Sequence, residues 1–240
     1  MIEIKKTVAP SELVILQQDA VAQNLSANEA YDTLRNPLKR DIIDQLMRDQ
    51  GHLCAYCMRK IPDERIGLPH VKIEHWEVRN GEHGETCGPH GALEYTNFLA
   101  VCSGNQNDTS RSKEEKLTCD ACRGSVKLHV NPLKPSTLST IYYTENGLIA
   151  ATDSDINTDL AVILNLNCMR DSVQLPKERK AVLNAIQAAV FAEVEEGSTL
   201  EESCRRLYQD LSSITDPKPP YIGISLWWLK GFIDIDSTNT

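Results

Sequence analysis

The chain has 240 residues, eight cysteines and a formal net charge of −9. That length allows one large domain or two small ones with a substantial core, and 41% hydrophobic with 25% charged residues is ordinary for a soluble globular fold. The acidic balance argues against broad nonspecific adhesion to nucleic acid, no apolar run approaches the ~18 residues of a membrane span, and the Met-Ile-Glu-Ile-Lys-Lys-Thr start holds no secretory h-region.

Residues 1–10 read as an extended arm with alternating Ile2 and Ile4 that helps cover the core, with docking on a partner as the alternative. A helix capped by Ser11 should come next, with Leu13, Leu16, Ala20 and Val21 on one face. Asn36-Pro37 opens another, striped by Leu38, Ile42, Ile43, Leu46 and Met47 and ended by Gly51. Its Lys39, Arg40 and Arg48 read as a solvated face, with contact to phosphate as the alternative.

Residues 52–70 carry Cys54-Ala55-Tyr56-Cys57 and a Pro/Gly loop; 71–78 read as a strand with Glu74 and His75 at its exit. A polar loop, 79–92, holds His83, Cys87 and His90, and 104–118 reads as a polar, charged insertion. Between Arg111 and Lys134 six Lys/Arg face three acids, so the charge locally reverses sign. Residues 126–130 and 140–143 read as strands, and Glu145-Asn146-Gly147 before 148–151 signals a hairpin.

Beyond that the chain reads as helical. It has an apolar run at 159–166 and a long amphipathic helix over 177–195, ended by Gly197. A capping box at Ser198-Thr199-Leu200-Glu201 opens the next helix. Pro217 to Pro220 break it, a final apolar segment spans 222–233, and 234–240 are a polar tail. The expected class is α+β and mainly helical. It divides into an N-terminal arm and helices (1–50), a core (51–135), and a hairpin with helices packed on that core (136–240).

Without a secretion signal, paired Cys-x-x-Cys reads as metal binding or redox chemistry rather than a disulfide framework. The turn sets two sulfurs on one side, suiting two corners of a zinc tetrahedron. Cys54 and Cys57 supply one pair. The second is Cys119 with Cys122, which plain spacing favours, or Cys102 with Cys119. Cys168 and Cys204 read as core residues in helical stretches, and Cys87 as a loop thiol. Between the pairs lie the elements of phosphodiester hydrolysis. His75 is a base with an ordinary pKa near 6.5, and Glu74 offers hard oxygen to Mg²⁺ or Mn²⁺. Neighbours on a strand point to opposite faces, so both serve one site only where the strand ends or bends.

The order Cys54–Cys57, Glu74-His75, Asn97-Phe98, Cys102, then Cys119-Asp120-Ala121-Cys122-Arg123 resembles the HNH endonucleases, whose core is a ββα-metal fold. The segments Asn97–Asn105, Thr118–Gly124, Asn131-Pro132 and Leu164-Asn165-Leu166-Asn167, with Leu175 and Arg179, are similar to the PtuB-like branch of retron and Septu-type anti-phage systems. The resemblance implies zinc on Cys54, Cys57, Cys102 and Cys119, leaving Cys122 as a spare thiol. It makes His75 the base, Asn97 a brace for the loop that orients it, Glu74 and Asp120 ligands of a catalytic cation, and Arg123 the phosphate contact. Sixteen residues (103–118) separate Cys102 from Cys119 where two are usual. Asn105 stands where the second cysteine would be, as an alternative ligand. Asn165, Asn167 and Arg179 are either site support or helix packing and capping. The resemblance further implies DNA as substrate, a PtuA-like ATPase of the SMC/ABC type as partner, no membrane, and a bacterial cytoplasmic defence role. The competing expectations are a zinc-knuckle binding module without catalysis and a redox protein.

Overall fold

The chain's element order is α1 Ser11–Ala22, α2 Ala27–Thr33, α3 Leu38–Gln50, β1 Lys72–His75, α4 Gly88–Ala92, β2 Phe98–Val101, α5 Lys113–Lys116, α6 Cys119–Arg123, α7 Pro135–Leu138, β3 Ile141–Tyr143, β4 Ile149–Ala151, α8 Ser154–Thr158, β5 Met169–Arg170, β6 Val173–Gln174, α9 Leu175–Glu195, α10 Leu200–Ser213 and α11 Ile222–Ile233. The structure, a computed structural model, describes residues 1–62, 71–106, 113–170 and 173–233. The 63–70 part of the expected Pro/Gly loop, the middle of the 104–118 insertion and the 234–240 tail lie outside the described residues. The class is α+β, about half helical, with three small antiparallel two-stranded sheets: β1–β2, β3–β4 and β5–β6. Among the described residues no helix is long and apolar enough to cross a membrane.

One apolar cluster joins all three expected regions, with Met1 and Ile4 of the arm, Leu46 of α3, Val101 of β2, Leu164 and Ile222 in contact through it. The boundaries near residues 50 and 135 thus divide the chain without dividing the core. The arm is pinned inward, and the Ile4 amide donates to the Pro132 carbonyl at 2.9 Å. A smaller cluster of Val190, Cys204 and Leu229 ties α9, α10 and α11 together.

Several local expectations are corrected. The Ser11 hydroxyl bonds Glu12, and α1 carries no side-chain cap. The second capping box sits one residue later, at Thr199 and Glu202. Helix α2 is additional to the expected elements, and Ser26 and Glu29 form a capping box at its start. Residues 126–130 are not a strand. Their backbone groups find other partners: the Val130 amide donates to the Asp159 carboxylate at 2.8 Å, and the Trp76 indole donates to the Val130 carbonyl at 2.7 Å. Cys168 precedes β5 rather than lying in a helix. The helix stop at Gly51, left-handed at φ 63°, and the β3–β4 hairpin stand where expected.

Candidate functional site

The β1–β2 hairpin positions the site. Its register pairs Glu74 with Leu99 and His75 with Phe98. Strand β1 ends at His75 because Asn97 captures the next two amides. The Trp76 amide donates to the Asn97 carbonyl at 3.0 Å and the Glu77 amide to Asn97 Oδ1 at 2.6 Å. Asn97 Nδ2 donates back to the Glu77 and Gly91 carbonyls at 3.1 and 2.9 Å. Asn97 therefore ties together both chain segments around His75.

Where β2 ends and α6 begins, four buried cysteines converge. Cys54, Cys57, Cys102 and Cys119 place their sulfurs within 4.8 Å of one another. The Cys54–Cys119 and Cys57–Cys102 sulfur separations are both 3.9 Å, and Cys102–Cys119 is 3.7 Å. Disulfides need about 2.05 Å. A zinc tetrahedron with ligand bonds of about 2.3 Å puts sulfurs about 3.8 Å apart. The thiols fit a structural metal such as zinc. Their acidity agrees: hydrogen bonds from Cys102, Cys119 and Cys54 pull the Cys57 thiol well down, while hydrogen bonding to Cys102, Cys54 and Cys57 holds Cys119 well up. Four buried thiols cannot all ionise without a cation among them.

Cys122 is not part of this group; its thiol reaches the Val162 carbonyl at 3.8 Å. Asn105 donates its amide to the Lys116 carbonyl at 2.8 Å and to Thr118, and the four cysteines make up a set of four ligands without it. The bond to Lys116 closes the neck of the insertion. The Thr118 amide donates to the Gly104 carbonyl at 3.1 Å, and a Cβ on Gly104, at φ +56°, would lie 2.2 Å from the Thr118 carbonyl oxygen. A tight neck lets sixteen residues intervene without separating Cys102 from Cys119, since loop closure costs grow slowly with length.

Glu74 and His75 both reach one cleft of about 510 Å³, which Asp120 and Arg123 of α6 also line. The Glu74 carboxyl is buried, hydrogen-bonded to Asp120 and ion-paired with Arg123. Burial, then bonding to and repulsion from Asp120, push it up to about 8 against the pull of Arg123. Burial also pushes Asp120 up, but the Glu74 bond and the Lys72 ammonium at 2.8 Å outweigh it and hold the group below its usual range. Two adjacent carboxyls that resist joint ionisation suit a hard divalent cation.

The His75 ring lies edge-on to Tyr31 and Phe98, with centroids 4.7 and 5.0 Å away. Its Nε2 lies 3.0 Å from the Ala92 carbonyl oxygen. A carbonyl only accepts, so Nε2 carries the proton and Nδ1 the lone pair. Burial draws the imidazole down to about 4, although the Ala92 bond opposes this, so it is neutral at ordinary pH.

Arg123 is corrected. Its side chain is 0% exposed, and its donors go to protein acceptors: Val126, His75 and Trp76 carbonyls at 2.7, 2.9 and 2.7 Å, besides Glu74. It positions Glu74 and the strand exit and is not turned toward a phosphate. Asn165, Asn167 and Arg179 do not line the cleft. Asn165 holds the Leu117 carbonyl at 2.9 Å, just before Cys119. Asn167 bonds both backbone groups of Ile149, and Arg179 clamps Gly147 and Leu166. Their role is packing.

Sequence reading missed that Asn28, Tyr31 and Arg79 also line the cleft, and it favoured a solvated face for Lys39, another lining residue. The box Ser26-x-x-Glu29 was the available signal for α2, which carries the first two. No protein-family model matches the chain, and no curated protein matches it at a significant level.

Proposed function

We propose that the chain is a metal-dependent phosphodiesterase, an HNH-type endonuclease acting on DNA. The observation that carries this reading is one neutral imidazole and two carboxyls in a single cleft, beside a hairpin buttressed by four thiols. The chain order β1, β2, α6 agrees with a ββα-metal core, with β1 ending in Glu74-His75 and α6 opening on Cys119-Asp120.

In this reading His75 Nδ1 takes the proton of the attacking water while the Ala92 carbonyl holds Nε2–H. Asn97 fixes the loop that aims the ring. Arg123 orients Glu74. Glu74 and Asp120 are the residues that would hold Mg²⁺ or Mn²⁺, and the cation would neutralise charge on the phosphate. Cys54, Cys57, Cys102 and Cys119 would hold zinc as a brace.

The wider role comes from the same resemblance: the nuclease subunit of a bacterial cytoplasmic anti-phage complex, with a PtuA-like ATPase of the SMC/ABC type. The net charge of −9 supports a partner that delivers the DNA, because an acidic chain gains little from the phosphate backbone unaided.

The test is nicking of supercoiled plasmid with Mg²⁺ or Mn²⁺, by the chain alone and with such an ATPase and ATP. Nicking is expected, and His75→Ala should slow it by about 10²–10⁴ with zinc and fold retained. The inward-turned guanidinium of Arg123 favours one second reading, a non-catalytic zinc-knuckle module that binds nucleic acid or a partner. Absence of nicking in every arm would select that module instead.

A further inference from the structure

Four cations line the cleft: Lys39, Lys72, Arg79 and Arg123. Two are neutralised on the spot, Lys72 by Asp120 and Arg123 by Glu74. Among the described residues, Lys39 and Arg79 form no ion pair. Both are instead stacked on Tyr31, with Arg79 Cζ 4.4 Å and Lys39 Nζ 4.9 Å from the ring centroid. Arg79 also donates to Asn28 Oδ1 at 3.1 Å. Asn28 and Tyr31 stand three residues apart on α2, which sets them on one helix face.

Two like charges held on one aromatic ring repel each other, and among the described residues they have no counter-ion. In a chain of net charge −9, acidic side chains were available to neutralise them, and none does among the described residues. An anion at the mouth of the cleft relieves that repulsion. The same Tyr31 ring touches His75, so such an anion would lie beside the proposed base. The two heads differ usefully. Lysine is a mobile point charge, and arginine is a planar fork that engages two phosphate oxygens at once.

We propose that Lys39, Tyr31 and Arg79 form the clamp for the DNA phosphates that flank the scissile bond. This rests on the phosphodiesterase reading and assigns to the outer wall the contact that Arg123 is not free to make.

The test is fluorescence anisotropy of a fluorescein-labelled DNA duplex with the zinc-loaded full chain. It is run in EDTA-free buffer without added Mg²⁺, from 50 to 200 mM salt. Wild type, Lys39→Gln, Arg79→Gln, the double variant and Lys39→Arg are compared, and unchanged zinc content and melting temperature show that each is folded. Each lost phosphate contact should lower the slope of log affinity against log salt by about 0.9, and the double variant by about twice that. Lys39→Arg should keep the wild-type slope. Unchanged slopes in the Gln variants, or no binding by wild type at 50 mM salt, would overturn the clamp. Nicking assays on the same variants, with Mg²⁺ or Mn²⁺ added and with and without the ATPase and ATP, keep the two claims apart. Nicking with unchanged slopes removes the clamp and leaves the phosphodiesterase; lowered slopes without nicking by wild type leave a nucleic-acid clamp and remove hydrolysis.

Discussion

Two opposite kinds of donor set stand beside the β1–β2 hairpin. On the sulfur side four soft ligands are buried within 4.8 Å of one another, enough to fill a tetrahedron. On the oxygen side two carboxyls and an imidazole share a cleft with charged walls. A closed sulfur cage supplies folding energy and no chemistry, whereas hard oxygens in an open site leave room for water and substrate. Arg123 and Cys119 lie on the same short helix, so the sides are joined through α6.

The largest expected effect breaks the sulfur side. Cys119→Ser should lose the zinc and the cooperative thermal transition, because the metal's binding energy is folding energy, on the order of 10 kcal/mol. Cys122→Ser should change neither. Metal analysis and calorimetry on the two variants check this, and equal behaviour would dissolve the distinction between the thiols.

Breaking the join comes next. Arg123→Met removes one partner of a buried ion pair and should cost about 3–5 kcal/mol. Denaturant unfolding measures it. A loss below about 1 kcal/mol would show that Glu74 is held by something other than this guanidinium.

The last effect concerns the N-terminal arm, which docks on β2. Lys6 donates to the Phe98 carbonyl at 2.6 Å, and burial draws its amine down to about 7, with Asp49 partly opposing. The folded state therefore gives up this proton before the unfolded state does. The lysine's contribution is fully present above its ordinary pKa of 10.5 and is lost as pH falls from there to about 7. Melting curves of Lys6→Met across pH 7–10 should show a smaller rise in stability with pH than wild type. Parallel curves would contradict this.

Features set by local chemistry were legible in the sequence. The Cys-x-x-Cys turn, the glycine stop at Gly51, the Asn146-Gly147 hairpin and the Glu74-His75 strand exit each depend on a few adjacent residues. The choice between Cys102 and Cys122 was not settled by spacing, since the deciding contact is the neck at Gly104 and Thr118. The strand expected at 126–130 had the right residue types, but its amides are satisfied by Asp159, thirty residues on. The direction of Arg123 was hidden for the same reason: its acceptors are carbonyls that only the folded hairpin brings together. The outer wall of the cleft joins residues 28, 31, 39 and 79, and no local pattern announces that meeting.

The division of labour between the two sides is tested most directly by zinc-edge X-ray absorption on the purified chain. Four sulfur neighbours at about 2.3 Å are predicted, with a spectrum unaltered by His75→Ala or Glu74→Gln. Nitrogen or oxygen bound directly to the zinc, or a spectrum that changes in either variant, would contradict the separation of a sulfur brace from an oxygen-lined site.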